Sequence, residues 1–259
     1  KLMKNRINHL FETKKEAIVS LYFTAGFPNL DDTLTILKEL DESDVDLIEI
    51  GFPYSDPLAD GPVIQESSGQ AIQNGMTLSL LFEQLQSLRS ITQKPIVLMG
   101  YLNVVLQFGE SQFIEKCAEV GVDGIIIPDM PLPYFQSNFK ELCEKNNVST
   151  ILLVTPETSK ERILEIDANA SGFIYLVASN SITGSTNSTN LQTDYYQRIQ
   201  EMKLKNPHLI GFGIHDKNSF ETVSKFSSGA IIGTAFIKHL KKNGTSKASI
   251  MAFVDVFKS

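Results

Sequence analysis

Glu49 and Asp60 frame the stretch Asp46–Asp60, which reads D-L-I-E-I-G-F-P-Y-S-D-P-L-A-D and runs on into Gly61 and Pro62. Glu49 stands inside Val45–Ile50, a short apolar, β-branched run of the kind that forms a buried strand. Burying a charge there is costly unless the site uses it, so a raised pKa is expected, suited to a group that shuttles a proton near neutral pH. Beyond Gly51 the chain becomes a loop, Phe52–Pro62, that carries Asp56 and Asp60 among three prolines. Prolines limit how far a loop can wander, and a catalytic group needs that preorganisation. An aspartate in such a loop more often caps a turn. One of the two is expected to cap and the other to work, and composition does not say which. A carboxylate on a rigid strand facing another on a stiffened loop suits acid–base chemistry.

Two further constellations could serve a ligand. Gly211-Phe212-Gly213 closes one apolar run and Gly233-Thr234 follows another near the C-terminus. Glycines there let backbone N–H groups approach an oxyanion such as a phosphate ester. No basic side chain is obvious nearby, so binding is expected to rest on amides and helix dipoles. The polar stretch Ala178–Gln192, with Ser181, Thr183 and Gly184, is long for a strand-to-helix connection. It reads as a lid that excludes water.

These groups need elements to position them. Eight short apolar runs recur: Ile18–Phe23, Val45–Ile50, Pro95–Gly100, Gly124–Ile127, Ser149–Val154, Gly172–Val177, Leu209–Gly213 and Gly229–Ile232. Each precedes a segment with apolar residues at helical spacing, such as Leu30–Leu40, Leu78–Leu88 or Asn218–Phe226. An amphipathic stretch, Asn5–Lys15, comes before the first run. Eight βα units in 259 residues predict a (β/α)8 TIM barrel with an extra N-terminal helix and extended loops after strands 2 and 6. No linker or composition break divides the chain, so one domain over 1–259 is expected. In such barrels the site lies at the C-terminal ends of the strands.

Composition narrows the function further. Hydrophobic residues make up 42% and charged residues 20%, ordinary for a soluble globular protein. The net charge of −7 argues against nucleic acid or an anionic membrane as partner. No apolar run approaches the about 18 residues that span a bilayer, and no signal-peptide pattern is read at the start. The two cysteines, Cys117 and Cys143, fall in helical patterns and read as reduced fillers of a cytoplasmic protein. Four scattered histidines lack metal-ligand spacing, and no metal is expected.

With these residues in place, the chain resembles the tryptophan synthase alpha subunit family over nearly its full length. The most specific match is Glu49-Ile50-Gly51-Phe52-Pro53-Tyr54-Ser55-Asp56-Pro57-Leu58-Ala59-Asp60-Gly61-Pro62-Val63-Ile64-Gln65, similar to the family signature E-[LI]-G-x-P-[FY]-S-D-P-x-A-D-G-P-x-I-Q. Phe23–Pro28, Gly121–Gly124, Gly211–Ile214 and Gly233–Ala235 follow in the family's order. The resemblance implies a lyase that splits indole-3-glycerol phosphate into indole and glyceraldehyde 3-phosphate by a retro-aldol reaction. It implies that Glu49 is the acid/base and that Asp60 accepts from the indole N–H. By the same resemblance Tyr22, Ile64, Tyr175, Thr183 and Phe212 are expected around the substrate, and the amides of Gly184, Gly213, Gly233 and Thr234 around its phosphate. No cofactor is implied in this protein; pyridoxal phosphate belongs to the beta subunit, the expected partner in an α2β2 complex, with Asp56 at the interface.

Three departures concern loops and the partner surface. The lid reads Ser181-Ile182-Thr183-Gly184 where the family usually has Gly-Val-Thr-Gly, and Val104 stands where many relatives place a proline after Asn103. Leu132-Pro133-Tyr134 replaces a stretch commonly acidic. Two other readings compete with the lyase: a different phosphate-handling barrel enzyme, and a non-catalytic barrel that only regulates a partner.

Overall fold

The computed structural model describes residues 4–178 and 186–258, with 186–191 described through the backbone alone. Eight parallel strands form the centre: β1 (Ile18–Thr24), β2 (Leu47–Gly51), β3 (Ile96–Met99), β4 (Gly124–Ile126), β5 (Ser149–Val154), β6 (Ile174–Val177), β7 (His208–Gly211) and β8 (Gly229–Ile232). They pair in chain order, and β8 returns to β1 to close the barrel. Each is almost wholly buried because helices cover the outer face while side chains fill the inside. The expected (β/α)8 barrel is the fold observed, and all eight strands fall within two residues of the apolar runs.

Around the barrel run α1 (Arg6–Thr13), α2 (Asp32–Asp41), α3 (Pro62–Gln73), α4 (Leu78–Gln84), α5 (Leu88–Ile91), α6 (Leu102–Phe108), α7 (Glu110–Val120), α8 (Leu132–Tyr134), α9 (Lys140–Asn146), α10 (Lys160–Asn169), α11 (Thr186–Glu201), α12 (Lys217–Ser224), α13 (Thr234–Asn243) and α14 (Lys247–Lys258). The expected extra N-terminal helix is α1. Asn5 caps it, its side chain accepting from the N–H groups of Ile7 and Asn8. Ile7 and Phe11 then pack with Ile18, Leu47, Val97 and Phe173 and seal the barrel's N-terminal end. With one end closed, the interior opens only toward the C-terminal ends of the strands.

Three local expectations need adjustment. Helices α3 and α6 carried no clear helical pattern, because Ser67-Ser68-Gly69 and the β-branched Val104-Val105 weaken the propensity signal. Tertiary packing overrides it: Ile64, Ser67, Ser68 and Ala71 bury one face of α3. The connection after β6 is also shorter than Ala178–Gln192, since α11 starts at Thr186. The expected lid residues Thr183 and Gly184 lie outside the described residues. The long loop after β2 is as expected, separating Gly51 from Pro62.

Candidate active site

Strand β2 fixes Glu49 by register, opposite Tyr22 of β1 on one side and Val97 of β3 on the other. Its neighbours Ile48 and Ile50 point to the helix layer, so Glu49 itself must point inward, where it helps line a cavity of about 630 Å³ at the strands' C-terminal ends. That volume suits a small organic substrate. Glu49 is fully buried, and its carboxyl receives one hydrogen bond, from Ser20 Oγ to Oε1 at 3.0 Å. Oε2 is buried with no partner among the described residues. Burial pushes the Glu49 pKa up to about 8, against the opposing effect of the Ser20 hydrogen bond.

Asp60 hangs over the same cavity from the loop after β2. A turn bond from its N–H to Pro57 O (3.0 Å) and a bond from Gln65 Nε2 to its own carbonyl (2.9 Å) hold its backbone. Its side chain is held by Tyr101, whose hydroxyl donates to Oδ2 at 3.0 Å while accepting from Ala59 N–H at 3.0 Å. Tyr54 stacks on Tyr101, ring centroids 5.3 Å apart, and ties the two loops together. Burial pushes Asp60 up to about 6, with the Tyr101 bond acting the other way. Asp56 points elsewhere. It is exposed, and its carboxylate accepts from Ser55 Oγ at 2.8 Å. Of the two loop aspartates, only Asp60 reaches the cavity.

Tyr22 and Ile64 line one wall, Tyr175 and Phe212 another, with the latter pair meeting edge-on at 6.3 Å. The Tyr22 hydroxyl lies 3.3 Å from Thr24 Oγ1, which lies 2.8 Å from Ser67 Oγ, which in turn donates to Ile64 O at 2.8 Å. Since Ser67 commits its proton to a carbonyl, Thr24 donates to Ser67 and Tyr22 donates to Thr24. The phenol oxygen therefore offers only lone pairs to any further neighbour. Gly51 is required beneath it, because a Cβ there would sit 2.0 Å from the Tyr22 hydroxyl.

Gly213, Gly233 and Thr234 line the same cavity. Phe212 and Gly213 adopt consecutive positive φ angles, 73° and 75°. Among the described residues no neighbour lies within 4 Å of where a Cβ of Gly213 would be. Gly233 and Thr234 form the N-terminus of α13, where N–H groups and the helix dipole favour an anion. The expectation of no basic side chain fails here. Lys238, one turn into α13, and His215 line the cavity too. His215 follows Gly213 by two residues and Lys238 follows Thr234 by four, so both stood close to the glycine motifs in the sequence. Lys238 is exposed and lacks the desolvation that activates a Schiff-base lysine.

Sequence reasoning also missed Ser20 and Tyr101. Ser20 could have been found, since it lies two residues before Tyr22 and shares its inward face. Among the described residues no three His, Cys, Asp or Glu side chains gather as a metal site.

This arrangement can be set beside known proteins. The family model for the tryptophan synthase alpha chain matches residues 7–258. The sequence is 54% identical to the tryptophan synthase alpha chain of Flavobacterium psychrophilum, over 95% of this protein and 97% of that one. It is 49% identical to that of Parabacteroides distasonis over 98% and 99%. Among solved structures, the tryptophan synthase alpha subunit of Campylobacter jejuni superposes with a TM-score of 0.83 at 31% identity, covering 95% and 98%. A chain of the tryptophan synthase complex of Pyrococcus furiosus does so with a TM-score of 0.83 at 31% identity, covering 94% and 98%. The family model and these relatives match almost the entire sequence, and the chain belongs to the tryptophan synthase alpha chain family.

Proposed function

We propose that this protein cleaves indole-3-glycerol phosphate to indole and D-glyceraldehyde 3-phosphate, with Glu49 as general acid/base and Asp60 as the anchor of the indole N–H. The observation that carries this reading is the pair of carboxyls in one cavity with pKa values pushed to about 8 and about 6. Two carboxyls set apart by their surroundings take opposite roles at neutral pH. Glu49 starts as the neutral acid and Asp60 as the carboxylate.

The steps follow from those charges. Glu49 gives its proton to C3 of the indole ring, creating an indolenine cation. Asp60 accepts the N–H hydrogen bond and stabilises that positive charge, which draws electrons from the bond joining the ring to the glycerol group. As the bond breaks, the Glu49 carboxylate takes the proton of the adjacent glycerol hydroxyl, and an aldehyde forms. The electron pair returns to the ring as free indole, and Glu49 ends protonated. Each positioned acid or base contributes roughly 10²–10⁴-fold. Tyr22, Ile64 and Phe212 would bracket the ring, Tyr175 would line the site, and the amides of Gly213, Gly233 and Thr234 would hold the phosphate, with Thr183 on the closing loop beside the substrate and Gly184 at the phosphate assigned by resemblance alone.

For the assembly, we read Asp56 as an interface residue of an α2β2 complex whose beta subunit carries pyridoxal phosphate, with no cofactor bound in this protein. Support comes from the exposed loop after β2, where Leu58 beside Asp56 is 88% exposed. The closed sheet supports reading 1–259 as one barrel domain. No described helix is long and apolar enough to cross a membrane. The free, buried Cys117 and Cys143 are compatible with a reducing compartment such as the cytoplasm. The decisive experiment is Glu49→Gln assayed on indole-3-glycerol phosphate, alone and with a beta subunit. Turnover should fall by orders of magnitude while the circular dichroism spectrum is kept; a folded variant with parental turnover would reject the assignment.

A further inference from the structure

Glu49 is fully buried on the inward face of β2, and the structure accounts for only one of its two oxygens. Ser20 lies on the adjacent strand β1, is itself fully buried, and donates from Oγ to Oε1 at 3.0 Å. Oε2 is shielded from solvent and has no partner among the described residues. A buried polar atom without a partner is rare and asks for an explanation, which a ligand can supply.

The direction of the Ser20 bond decides where the acid proton can sit. Ser20 has one hydroxyl hydrogen, and among the described residues Glu49 Oε1 is the partner the structure gives it. Were the carboxyl proton on Oε1 and aimed at Oγ, the serine hydrogen would be buried with nothing to accept it. With the serine donating, Oε1 acts as acceptor and the proton belongs on the other oxygen. The hydrogen bond also biases the carboxyl plane toward one orientation, so that oxygen favours one direction.

We propose that Ser20 is a positioning residue for Glu49: its hydrogen bond to Oε1 orients the carboxyl and assigns the transferable proton to Oε2, the oxygen left for substrate. The proposal rests on Glu49 being the acid/base. Ser20 does not touch the reacting atoms. It ensures that the same oxygen that delivers the proton is the one that recovers it, so the carboxyl need not turn over between the two transfers.

The hydrogen bond also favours the ionised carboxyl, so it holds the Glu49 pKa below the value that burial alone would set. Other ionisable groups facing Glu49 are Tyr22 from β1, Tyr175 from β6 and Asp60 from the loop above. Both phenols are driven up by burial and stay neutral where Glu49 titrates. Asp60 is already ionised there. Movement of the alkaline limb therefore reports on Glu49.

The test is Ser20→Ala beside Ser20→Thr in the full-length protein, measured for kcat and KM across pH, with thermal melting and a titration of ¹³C-labelled glutamate carboxyls. In Ser20→Ala, kcat should drop about tenfold, the equivalent of one hydrogen bond, with KM within about twofold. Its alkaline limb and the Glu49 carboxyl signal should both move to higher pH, and Ser20→Thr, which keeps the hydroxyl, should restore both. A folded Ser20→Ala with parental kcat and an unmoved limb would overturn the proposal, as would a raised KM and lowered melting temperature with the limb in place. Glu49→Gln is the control that separates the two ideas. If it retains turnover, the acid/base reading of Glu49 fails; if it is inactive while Ser20→Ala behaves like the parent, only the role of Ser20 fails.

Discussion

Tyr101 donates a 3.0 Å hydrogen bond to Asp60 Oδ2 and, through the same oxygen, accepts the N–H of Ala59 at 3.0 Å. One phenol at the end of β3 thus grips the loop after β2 twice, once by backbone and once by the working carboxylate. The bond stabilises ionised Asp60 and opposes the upward push of burial. In Tyr101→Phe the Asp60 pKa should therefore rise from about 6, and the acid limb of kcat/KM should move up by about one unit, the worth of one hydrogen bond. The Ala59 N–H loses its partner as well, so the loop should loosen and KM should increase. An acid limb that stays put would mean that Tyr101 is only a packing residue.

The pKa values of about 6 for Asp60 and about 8 for Glu49 bound an activity window. In the proposed mechanism cleavage needs Asp60 ionised and Glu49 protonated, so kcat/KM should be bell-shaped, falling below about pH 6 and above about pH 8. Asp60→Asn should remove the acid limb and leave the alkaline one. A profile flat from pH 5 to 9 would contradict the assignment of both groups; these bounds follow from the same two values, taken about one unit to either side.

Burial of Glu49 also carries a cost in stability whose pH dependence has a definite sign. Its folded pKa is raised from an ordinary 4.5 to about 8, so the folded state holds this proton more tightly than the unfolded state does. Stability is full below the ordinary value and is lost as pH climbs through that window. Glu49→Gln cannot ionise and escapes the loss. Its stability should gain on the parent as pH rises from 5 to about 8 and level off above, by on the order of 1–3 kcal/mol, or several degrees in melting temperature. Differential scanning calorimetry across that range checks it, and a constant offset between the two proteins would refute it.

Lys238 is the cation that local motif reading overlooked. It stands one helical turn beyond Gly233 and Thr234, against the part of the cavity assigned to phosphate. In a protein of net charge −7, one lysine at that mouth counters a repulsive field for an anionic substrate. Lys238→Gln should raise KM by about 3- to 10-fold with kcat within about twofold, and should weaken the salt dependence of kcat/KM. Parental KM and salt dependence would place the whole of phosphate recognition on the amides.

Legibility in the sequence followed the range of the interactions. All eight strands could be read because each is a largely apolar, largely buried run and needs no partner to be recognised. Glu49 stood out for the same reason, as a charge inside such a run. Helix α3 did not, since Ser67, Ser68 and Gly69 speak against a helix until packing with β1 and α13 is known. Tyr101 and Asp60 meet across 41 positions, and Ser20 and Glu49 across 29; neither pairing leaves a local mark. The choice between Asp56 and Asp60 likewise waited on the direction of a loop.

At the barrel's opposite end, Asp123 is 2% exposed and ties three elements together. It accepts from Arg89 at 2.7 Å, from the N–H of Ile96 at 2.9 Å and from Arg6 at 3.1 Å. Asp123→Ala would strand the half-buried Arg89 guanidinium and orphan the N–H that starts β3. Breaking one side of a buried pair typically costs about 3–5 kcal/mol, equivalent here to roughly 10 °C in melting temperature. Asp123→Asn keeps an acceptor for Ile96 and should lose less. Because this network sits at the sealed end, away from Glu49 and Asp60, kcat per folded molecule at low temperature should stay close to the parent in both variants. A drop in kcat without a drop in melting temperature would show that the two ends of the barrel are coupled.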